Sequence, residues 1–399
     1  MNPTHISDGV TVLAGSYFDG HVLRADGPYG IRVADGKIAS IERLCDAVSM
    51  QSDLDRALIR CPFVMPGLVE SHCHLFLDGT EVDTARRAAY LKSGFEEMLE
   101  VARRNARASL AAGITLVRDA GDRYGVNDAI KRELHSPDIR SPGYAINSPG
   151  RYGSFMARSV ADTNDVRNMV GKVAETADDL KILLTGIIDF ANGCVLGAPQ
   201  FGSTMLQDIV AAARESGLPT FAHCSGIDGL RLAVEAGVDS IEHGFFMDEA
   251  TLAGMASKGI AWVPTFAPVK FQWEEPHYCG WNDATVGNLR RILDGHAEHV
   301  RRAAELGVAV IPGSDAGSHG VAHGTALIEE MLTLHECGMS MGTVLASATS
   351  LPRARWGVES ADIVVDNAAN LVGFERSPFE HPASLRSPLF VYHRGQLLT

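Results

Sequence analysis

The chain has 399 residues, and 46% of them are hydrophobic, which suffices for one large domain and a smaller one. A formal net charge of −14 argues against a nucleic-acid-binding surface, which needs a basic stripe, and against electrostatic docking on anionic lipid. We therefore expect a small-molecule substrate, with no nucleic acid and no membrane as partner.

Cysteine usage and the N-terminal segment predict a cytoplasmic protein. The seven cysteines are odd in number and include no CxxC pair, which favours reduced thiols. The start of the chain, MNPTHISDGV, lacks a basic stretch followed by an apolar one. No apolar run approaches the length of a membrane span.

Both ends of the chain contain short alternating apolar runs separated by turns. Near the start these are VTVLAG, YGIRVA and KIASIE, with Asp-Gly turn signals between them, and near the end they are ADIVVD, ANLVGFE and SPLFVYHRGQLL. We expect residues 1–62 and 360–399 to form one small β-sandwich domain around a central domain, residues 63–359.

The central domain alternates apolar, strand-like runs with amphipathic helical stretches. The eight strand candidates are LVESHCHL, ITLVRDAG, GYAINSPG, LKILLTG, PTFAHCSG, SIEHG, AWVPTF and AVIPGSDAG. The clearest helices are predicted at Phe95–Ala112, Met205–Ser216, Gly229–Ala236, Glu249–Lys258 and Val286–Leu306. Eight strands alternating with helices predict an α/β fold, a (β/α)₈ TIM barrel, and no GxGxxG follows the first strand to suggest a dinucleotide fold.

Polar residues end several of these strands. His72 and His74 stand two residues apart, so they share one face of the first strand. Barrel active sites form at the carboxyl ends of the strands, so these side chains are expected to meet others there. The other strand-end candidates are Lys181 on the fourth strand, His223 on the fifth, His243 on the sixth and Asp315 on the eighth.

Imidazole and carboxylate are the expected ligands of zinc or a similar divalent ion. Each residue also has a structural alternative: His223 and His243 could be core histidines, Asp315 a helix cap or turn residue, and Lys181 a partner of the preceding acids. His72 and His74 could likewise be hydrogen-bonded surface or core histidines, but six such explanations falling together on strand ends are improbable. The pattern therefore favours a metal centre in which bound water acquires a pKa near neutrality.

The motifs PGLVESHCH, HCSG, IEHG and GSDAG resemble those of the amidohydrolase superfamily, and the likeness covers almost the whole chain. ADDLKILLTG resembles the subset with two metal ions and a lysine carboxylated by carbon dioxide. Its relatives include Xaa-Pro and Xaa-Arg dipeptidases, imidazolonepropionase-related enzymes and ochratoxinase-like amidohydrolases.

The resemblance implies two divalent ions, with zinc as the expected metal. It assigns His72, His74 and Asp315 to the more buried ion, His223 and His243 to the more exposed one, and carboxylated Lys181 to both. A hydroxide bridging the ions would attack the substrate carbonyl, with Asp315 as the catalytic residue that takes its proton and passes it to the leaving nitrogen.

The sequence departs from these relatives where they contact substrate. Dipeptidases of this subset have a TGGHG-like segment after the third strand, whereas this chain has INSPGRYGSF. There Tyr152 is a candidate catalytic oxyanion donor and Arg151 a candidate partner for an anionic substrate group, with solvated loop residues as the alternative. His323 is a further candidate for the substrate site, with a structural role as its alternative.

Two other segments bear on the substrate. The CSGIDG segment lacks the tyrosine and arginine with which those relatives hold a substrate carboxylate, which puts a peptide C-terminus in doubt. The aromatic-rich segment 266–281 suggests an apolar or aromatic substrate group, with packing of the segment onto the barrel as the alternative.

These features predict an amidohydrolase or dipeptidase that cleaves an amide, peptide-like or urea-like bond of a small molecule. One alternative is a mononuclear ring deaminase or cyclic amide hydrolase, but deaminating relatives place a glutamate in an HxxE pattern after the fifth-strand histidine, and here CSG follows His223. Another is a non-catalytic scaffold of the same fold, which six intact ligand positions disfavour. By analogy with barrel hydrolases, we expect a homo-oligomer.

Overall fold

The computed structural model describes residues 4–5, 9–44 and 57–399, and within them strands and helices alternate through the centre of the chain. The strands in chain order are β1 Thr4–His5, β2 Val10–Phe18, β3 Leu23–Arg24, β4 Tyr29–Ala34, β5 Lys37–Arg43, β6 Ala57–Pro66, β7 Leu68–Cys73, β8 Ile114–Asp119, β9 Asp138–Arg140, β10 Ala145–Asn147, β11 Ala157–Ser159, β12 Leu180–Leu183, β13 Ile188–Asp189, β14 Cys194–Val195, β15 Thr220–Cys224, β16 Ser240–His243, β17 Ala261–Val263, β18 Asn370–Phe374, β19 Pro388–His393 and β20 Gln396–Leu398.

The helices lie between the parallel strands, and several begin at an Asp, Asn or Ser whose side chain accepts hydrogen bonds from the first-turn amides. Each of the five predicted helices is present, with bounds within three residues of the prediction. The helices are α1 Thr84–Tyr90, α2 Phe95–Ala111, α3 Val126–Glu133, α4 Thr163–Ala174, α5 Ser203–Glu215, α6 Ile227–Ala236, α7 Glu249–Lys258, α8 Ala267–Glu274, α9 Pro276–Cys279, α10 Asp283–Leu306, α11 Thr325–Glu336, α12 Met341–Ser347 and α13 Ser350–Trp356, with a 3₁₀ turn at Pro382–Arg386.

The two ends of the chain meet in one nine-stranded sheet. Its order is β1-β20-β19-β18-β6-β2-β4-β5, with β3 paired to β2. One face packs into the main core, and apolar side chains of β2, β4, β6, β18 and β19 form a second cluster. Strands from the two ends of the chain therefore pair with one another, and β6 connects this sheet to β7 through Gly67 alone.

One predicted terminal strand is not a strand. The segment ADIVVD, residues 361–366, crosses the sheet edge as a turn, because Asp366 adopts a left-handed φ of 75°. Its backbone makes isolated hydrogen bonds instead of a regular strand ladder. Ile363 N donates to Asp19 O and Asp366 N donates to Ile38 O, both at 2.9 Å. Alternating apolar residues predicted a strand here, and that prediction was wrong because the backbone forms a turn at Asp366.

The central strands form parallel sheets, one in the order β7-β8-β9 and one in the order β11-β10-β12-β15-β16-β17. Seven of the eight predicted strand positions contain a strand. Sequence analysis missed β9, which pairs with β8, while β10 a few residues later pairs with β12. The chain from β9 to β10 thus lies between the two sheets.

The predicted eighth strand makes isolated parallel bridges rather than a regular ladder within the described chain. Val310 bridges to Trp262, and Ala316 bridges to Cys73. Pro312 lies between these points and has no backbone N–H to donate. The next residue, Gly313, packs closely against β17, since a Cβ at this position would lie 2.5 Å from the Val263 side chain. This stretch brings Asp315 to the carboxyl end of β7.

Two further observations bear on location. The six described cysteines form no disulfide, and Cys45 lies outside the described residues. Within the described part of the chain, no helix combines the length and apolar character needed to cross a membrane.

Candidate metal centre

Three of the predicted ligands form a compact group. His72 and His74 are buried at the end of β7, and Asp315 lies beside them. Ligand atoms of the three lie within 4.8 Å of one another. The Nε2 atom of His74 is 3.5 Å from Asp315 Oδ1, and that of His72 is 3.8 Å from the same oxygen. These are separations that a single ion could bridge.

The fourth-strand lysine lies against this group. Lys181 is 1% exposed, and its Nζ lies 3.5 Å from His72 Nε2. The same Nζ lies 4.6 Å from the ring centre of Phe221. Burial lowers the pKa of Lys181 to about 8, because the apolar surroundings disfavour the charged ammonium.

The second histidine pair completes the cluster. The ring centres of His223 and His243 are 4.5 Å apart, and those of His72 and His243 are 5.1 Å apart. All six predicted side chains therefore lie close together, but the prediction that Lys181 ends its strand was wrong, because Lys181 is the second residue of β12. His72 is central, since it neighbours the lysine, the aspartate and two other histidines.

Hydrogen bonds fix which nitrogen of two histidines faces the centre. His72 Nδ1 lies 2.5 Å from Glu242 Oε2, and because a carboxylate accepts, Nδ1 carries the proton and Nε2 keeps its lone pair. His243 Nδ1 lies 2.7 Å from Thr265 Oγ1. The single hydroxyl proton of Thr265 is donated to Pro264 O, so His243 is the donor and its Nε2 is free.

His223 has the opposite arrangement. Its Nε2 lies 3.4 Å from Gly186 O, and a carbonyl only accepts, so Nδ1 keeps the lone pair. Burial lowers the pKa of His74 and His223 to about 3, and it lowers those of His72 and His243 well below the usual range. Neutral imidazoles with free lone pairs fit a divalent ion.

Backbone strain is concentrated around this cluster. His243, Thr265 and Asp315 have φ values of 69°, 51° and 53°, a left-handed region that side chains other than glycine adopt at a cost. The kink at His243 lets it and the preceding Glu242 both approach His72, although alternation in a regular strand would place them on opposite faces.

Sequence analysis missed the residues that hold the ligands. Glu242 is fully buried and also accepts from Ser240 Oγ at 2.6 Å. Glu70, likewise buried, accepts from His72 N at 3.0 Å and Ser314 N at 2.9 Å, which ties β7 to the stretch before Asp315. Acidic residues inside apolar runs were the available signal, since such groups are buried only when they are bonded.

The remaining candidates occupy different positions. Tyr152 lines a cavity with His223 and Asp315, its ring centre is 5.4 Å from that of His223, and burial raises its pKa. Arg151 is exposed in an adjoining cavity, where its guanidinium donates to Ala198 O. His323 is buried, with its pKa lowered to about 3 by burial, and is not among the residues lining the cavity of Tyr152.

The aromatic-rich segment forms α8 and α9. Trp273 and Trp281 pack against an apolar cluster, Phe271 packs against His319, and Tyr278 is 43% exposed. None of these four aromatic side chains is among the described residues that line the cavity beside the histidines. Packing onto the fold accounts for the positions of these four side chains, whereas Pro268, Val269 and Gln272 of the same segment do line that cavity.

The sequence was compared with known proteins, and a model of the amidohydrolase family matches residues 63–392. The chain belongs to the amidohydrolase family. This amidohydrolase is 29% identical over 338 residues to an uncharacterized protein of Mycobacterium tuberculosis, covering 84% of this chain and 85% of that protein. It is 23% identical over 363 residues to the ochratoxinase of Aspergillus niger, covering 84% of this chain and 74% of that enzyme.

Solved structures share its fold. A Xaa-Pro dipeptidase with bound methionine in the active site has a TM-score of 0.81 and 24% identity, covering 98% of this chain and 100% of that one. Membership of the family supports a hydrolase, and the His72, His74 and Asp315 group is consistent with the metal binding of amidohydrolases.

Proposed function

We propose that this amidohydrolase is a metal-dependent hydrolase that cleaves the carbon–nitrogen bond of an amide, peptide-like or urea-like small molecule. One observation carries the proposal: six side chains suited to metal binding lie close together, five near the carboxyl ends of parallel strands and Lys181 as the second residue of β12. Hydrogen bonds at one nitrogen of His72, His223 and His243 leave the other nitrogen of each ring with a free lone pair.

In this proposal two divalent ions, with zinc as the expected metal, bind at the cluster. His72, His74 and Asp315 would hold the more buried ion, His223 and His243 the more exposed one, and carboxylated Lys181 both. When bound, the ions would lower the pKa of water and polarise the substrate carbonyl. The low pKa of Lys181 supports carboxylation, because the neutral amine forms the N–C bond to carbon dioxide and releases one proton.

Proton transfer is assigned to Asp315. In the metal-free protein, burial raises the pKa of this carboxyl to about 7. It would take a proton from the attacking water and give it to the leaving nitrogen as the C–N bond breaks. The Tyr152 hydroxyl lines the same cavity and would donate to the oxygen on which charge develops.

The finer features of the fold belong to the same proposal. We infer that the two parallel sheets close into a (β/α)₈ barrel, residues 63–359, which the bridges at Val310 and Ala316 support. The terminal segments, residues 1–62 and 360–399, would form the sandwich, which the separate apolar cluster supports. A cytoplasmic homo-oligomer acting on a small molecule completes the proposal.

Metal content and activity test the proposal together. The purified protein should hold about two zinc ions per chain, and the zinc-loaded protein should hydrolyse members of a panel of N-acyl amino acids, dipeptides, anilides and ureas. One ion per chain with ring deamination would instead favour the deaminase, and no bound metal with no activity would favour a scaffold.

The carboxylated lysine has its own test. Lys181→Ala should lose metal and activity, while Lys172→Ala, a change at an exposed lysine of α4, should retain both. Survival of two metals and full activity in Lys181→Ala would show that no lysine-derived ligand is needed.

A further inference from the structure

A cavity of about 230 Å³ opens beside the proposed metal ligands His223, His243 and Asp315. In contrast to these ligands, the rest of its lining is largely apolar. The apolar lining residues are Ile187, Ile188, Phe190, Phe245, Pro268 and Val269. Four of them, Ile188, Phe190, Phe245 and Val269, belong to or pack against one hydrophobic cluster.

Most polar groups in this lining are already bonded within the protein. The Thr265 hydroxyl is engaged by a histidine and by a backbone carbonyl, as described above. The Ser225 hydroxyl accepts from the backbone N–H of Phe245, and Gln272 Oε1 accepts from the Trp281 indole at 3.0 Å. These bonds hold the walls in place. The donors that remain, such as the Gln272 side-chain NH₂ and the Tyr152 hydroxyl, are neutral, so they supply no positive charge to pair with an anionic ligand.

Cations lie outside this cavity. Within residues 9–44 and 57–399, no Lys or Arg lines it. Arg151 lines the adjoining cavity of about 550 Å³, where its guanidinium donates to a backbone carbonyl. Arg86 and Arg87 line a third cavity of about 530 Å³ beyond Ser318, and Arg87 donates to three backbone carbonyls.

The cost of placing a charge here decides the substrate class. An ionised carboxylate moved from water into an apolar site without a paired cation loses far more hydration energy than the site returns. A carboxylate drawn instead to the ligand cluster would compete with the scissile carbonyl for that position. An uncharged apolar group loses no such hydration and gains from leaving water.

We propose, on the basis of the proposed function, that this cavity binds an uncharged aryl or branched alkyl substituent of the amide, carbamate or urea. The enzyme then discriminates against substrates that carry a carboxylate on that substituent. A cavity of about 150 Å³ already accommodates benzene in an engineered protein, so the volume here accepts a substituted ring. The two phenylalanines supply aromatic surface for such a ring.

Matched substrates test this directly with the zinc-loaded, full-length protein. 4-Acetylacetanilide and 4-acetamidobenzoate contain the same single scissile C–N bond and differ by a neutral methyl ketone against a carboxylate. A second pair, 4-acetylbenzamide and 4-carbamoylbenzoate, moves the charge to the acyl side. In the pair whose variable group enters the cavity, kcat/KM should be at least tenfold higher for the uncharged member.

Charge introduced at the wall should reverse this preference. Ile188 is half-buried on β13, and Ile188→Arg should lower the ratio of neutral to carboxylate kcat/KM at least tenfold. Gln272→Arg is a second position for the same change if the first variant does not fold. Leu196→Arg is the matched control, because Leu196 is 49% exposed and lines only the adjoining cavity, and its ratio should not change.

The outcomes separate this inference from the function on which it rests. Hydrolysis with equal or higher kcat/KM for the carboxylate member of both pairs would overturn the inference and support the proposed function. An unchanged ratio in both arginine variants would overturn the inference in the same way. If no C–N bond in the matched pairs or the wider panel is hydrolysed, the proposed function fails, and this inference with it.

Discussion

The hydrogen bond from His72 to Glu242 offers the sharpest test of the metal centre. In Glu242→Gln the carboxylate becomes a neutral amide of nearly the same shape, while Ser240 and Arg118 remain in place. Glu242 Oε2 lies 2.5 Å from His72 Nδ1, and both side chains are at most 1% exposed. The change therefore acts at a dry site where water cannot replace the lost partner.

The magnitude follows from the kind of bond removed. A hydrogen bond to a charged group contributes about 1.5–3 kcal/mol and a neutral one about 1, so the substitution weakens the bond that orients His72 by about 0.5–2 kcal/mol. Outer partners of metal-binding histidines typically contribute about 10–100-fold in metal affinity. We expect the zinc Kd of the variant to rise about 10–30-fold, where these two ranges overlap, since about 1.4 kcal/mol corresponds to tenfold.

Zinc affinity is measured by competition with a chromophoric chelator, and zinc content by mass spectrometry after dialysis. Asp179→Asn is the matched control: Asp179 is fully buried and pairs with Arg140 at 2.6 Å and Arg118 at 4.0 Å. It belongs to the same buried ionic network, because Arg118 also lies 3.7 Å from Glu242, but it is bonded to no histidine. Wild-type zinc affinity in Glu242→Gln, or an equal loss in both variants, would refute the reasoning.

Three further predictions concern catalysis and stability. Tyr152→Phe should lower kcat about 100-fold with zinc content unchanged, as expected for loss of one oxyanion donor, and unchanged kcat would remove Tyr152 from catalysis. Removal of metal by a chelator should lower the free energy of unfolding, by about 2.7 kcal/mol for each bound ion relative to zinc at 100 times its Kd, which urea unfolding will measure. Burial lowers the pKa of His296 from 6.5 to about 3, so the unfolded chain binds more protons in that window and stability is lost as pH falls. The free energy of unfolding of the metal-free protein, measured with urea at pH 6 and pH 5, should fall less steeply with pH in His296→Phe than in the wild type, by about 1.4 kcal/mol per pH unit. An equal pH dependence in the two proteins would contradict the lowered pKa of His296.

Most of the proposed ligand set was predictable because it follows strand ends. His72 and His74 share a face in any strand, and His223, His243 and Asp315 end apolar runs that were long enough to identify, whereas Lys181 is the second residue of β12 and was found as a lysine inside an apolar run. The structure brings all six together. That prediction needed only the rule that carboxyl ends of parallel strands meet at one edge, so it did not depend on the strand bounds or on the irregular stretch before Asp315.

The support of the ligands was not predictable from the same rule. Glu242 precedes His243, and alternation assigns neighbouring residues of a strand to opposite faces. Both approach His72 because the backbone at His243 adopts a φ of 69°. Nothing in IEHG indicates that kink, since left-handed φ is rare for histidine and is maintained here by bonds to Thr265, a residue more than twenty positions away.

The walls of the cavity were unpredictable for a different reason. The residues proposed for the reaction and those proposed to contact the substrate lie on different kinds of segment. The proposed ligands lie on or next to strands, whereas the apolar lining comes from the β13–β14 hairpin, the start of α8 and the turn after β16. Connecting segments tolerate change because they contribute little to the core. Substitutions such as Ile188→Arg should therefore alter which C–N bond is accepted while zinc content and the unfolding midpoint stay near wild type, whereas substitutions at the strand ends should alter all three.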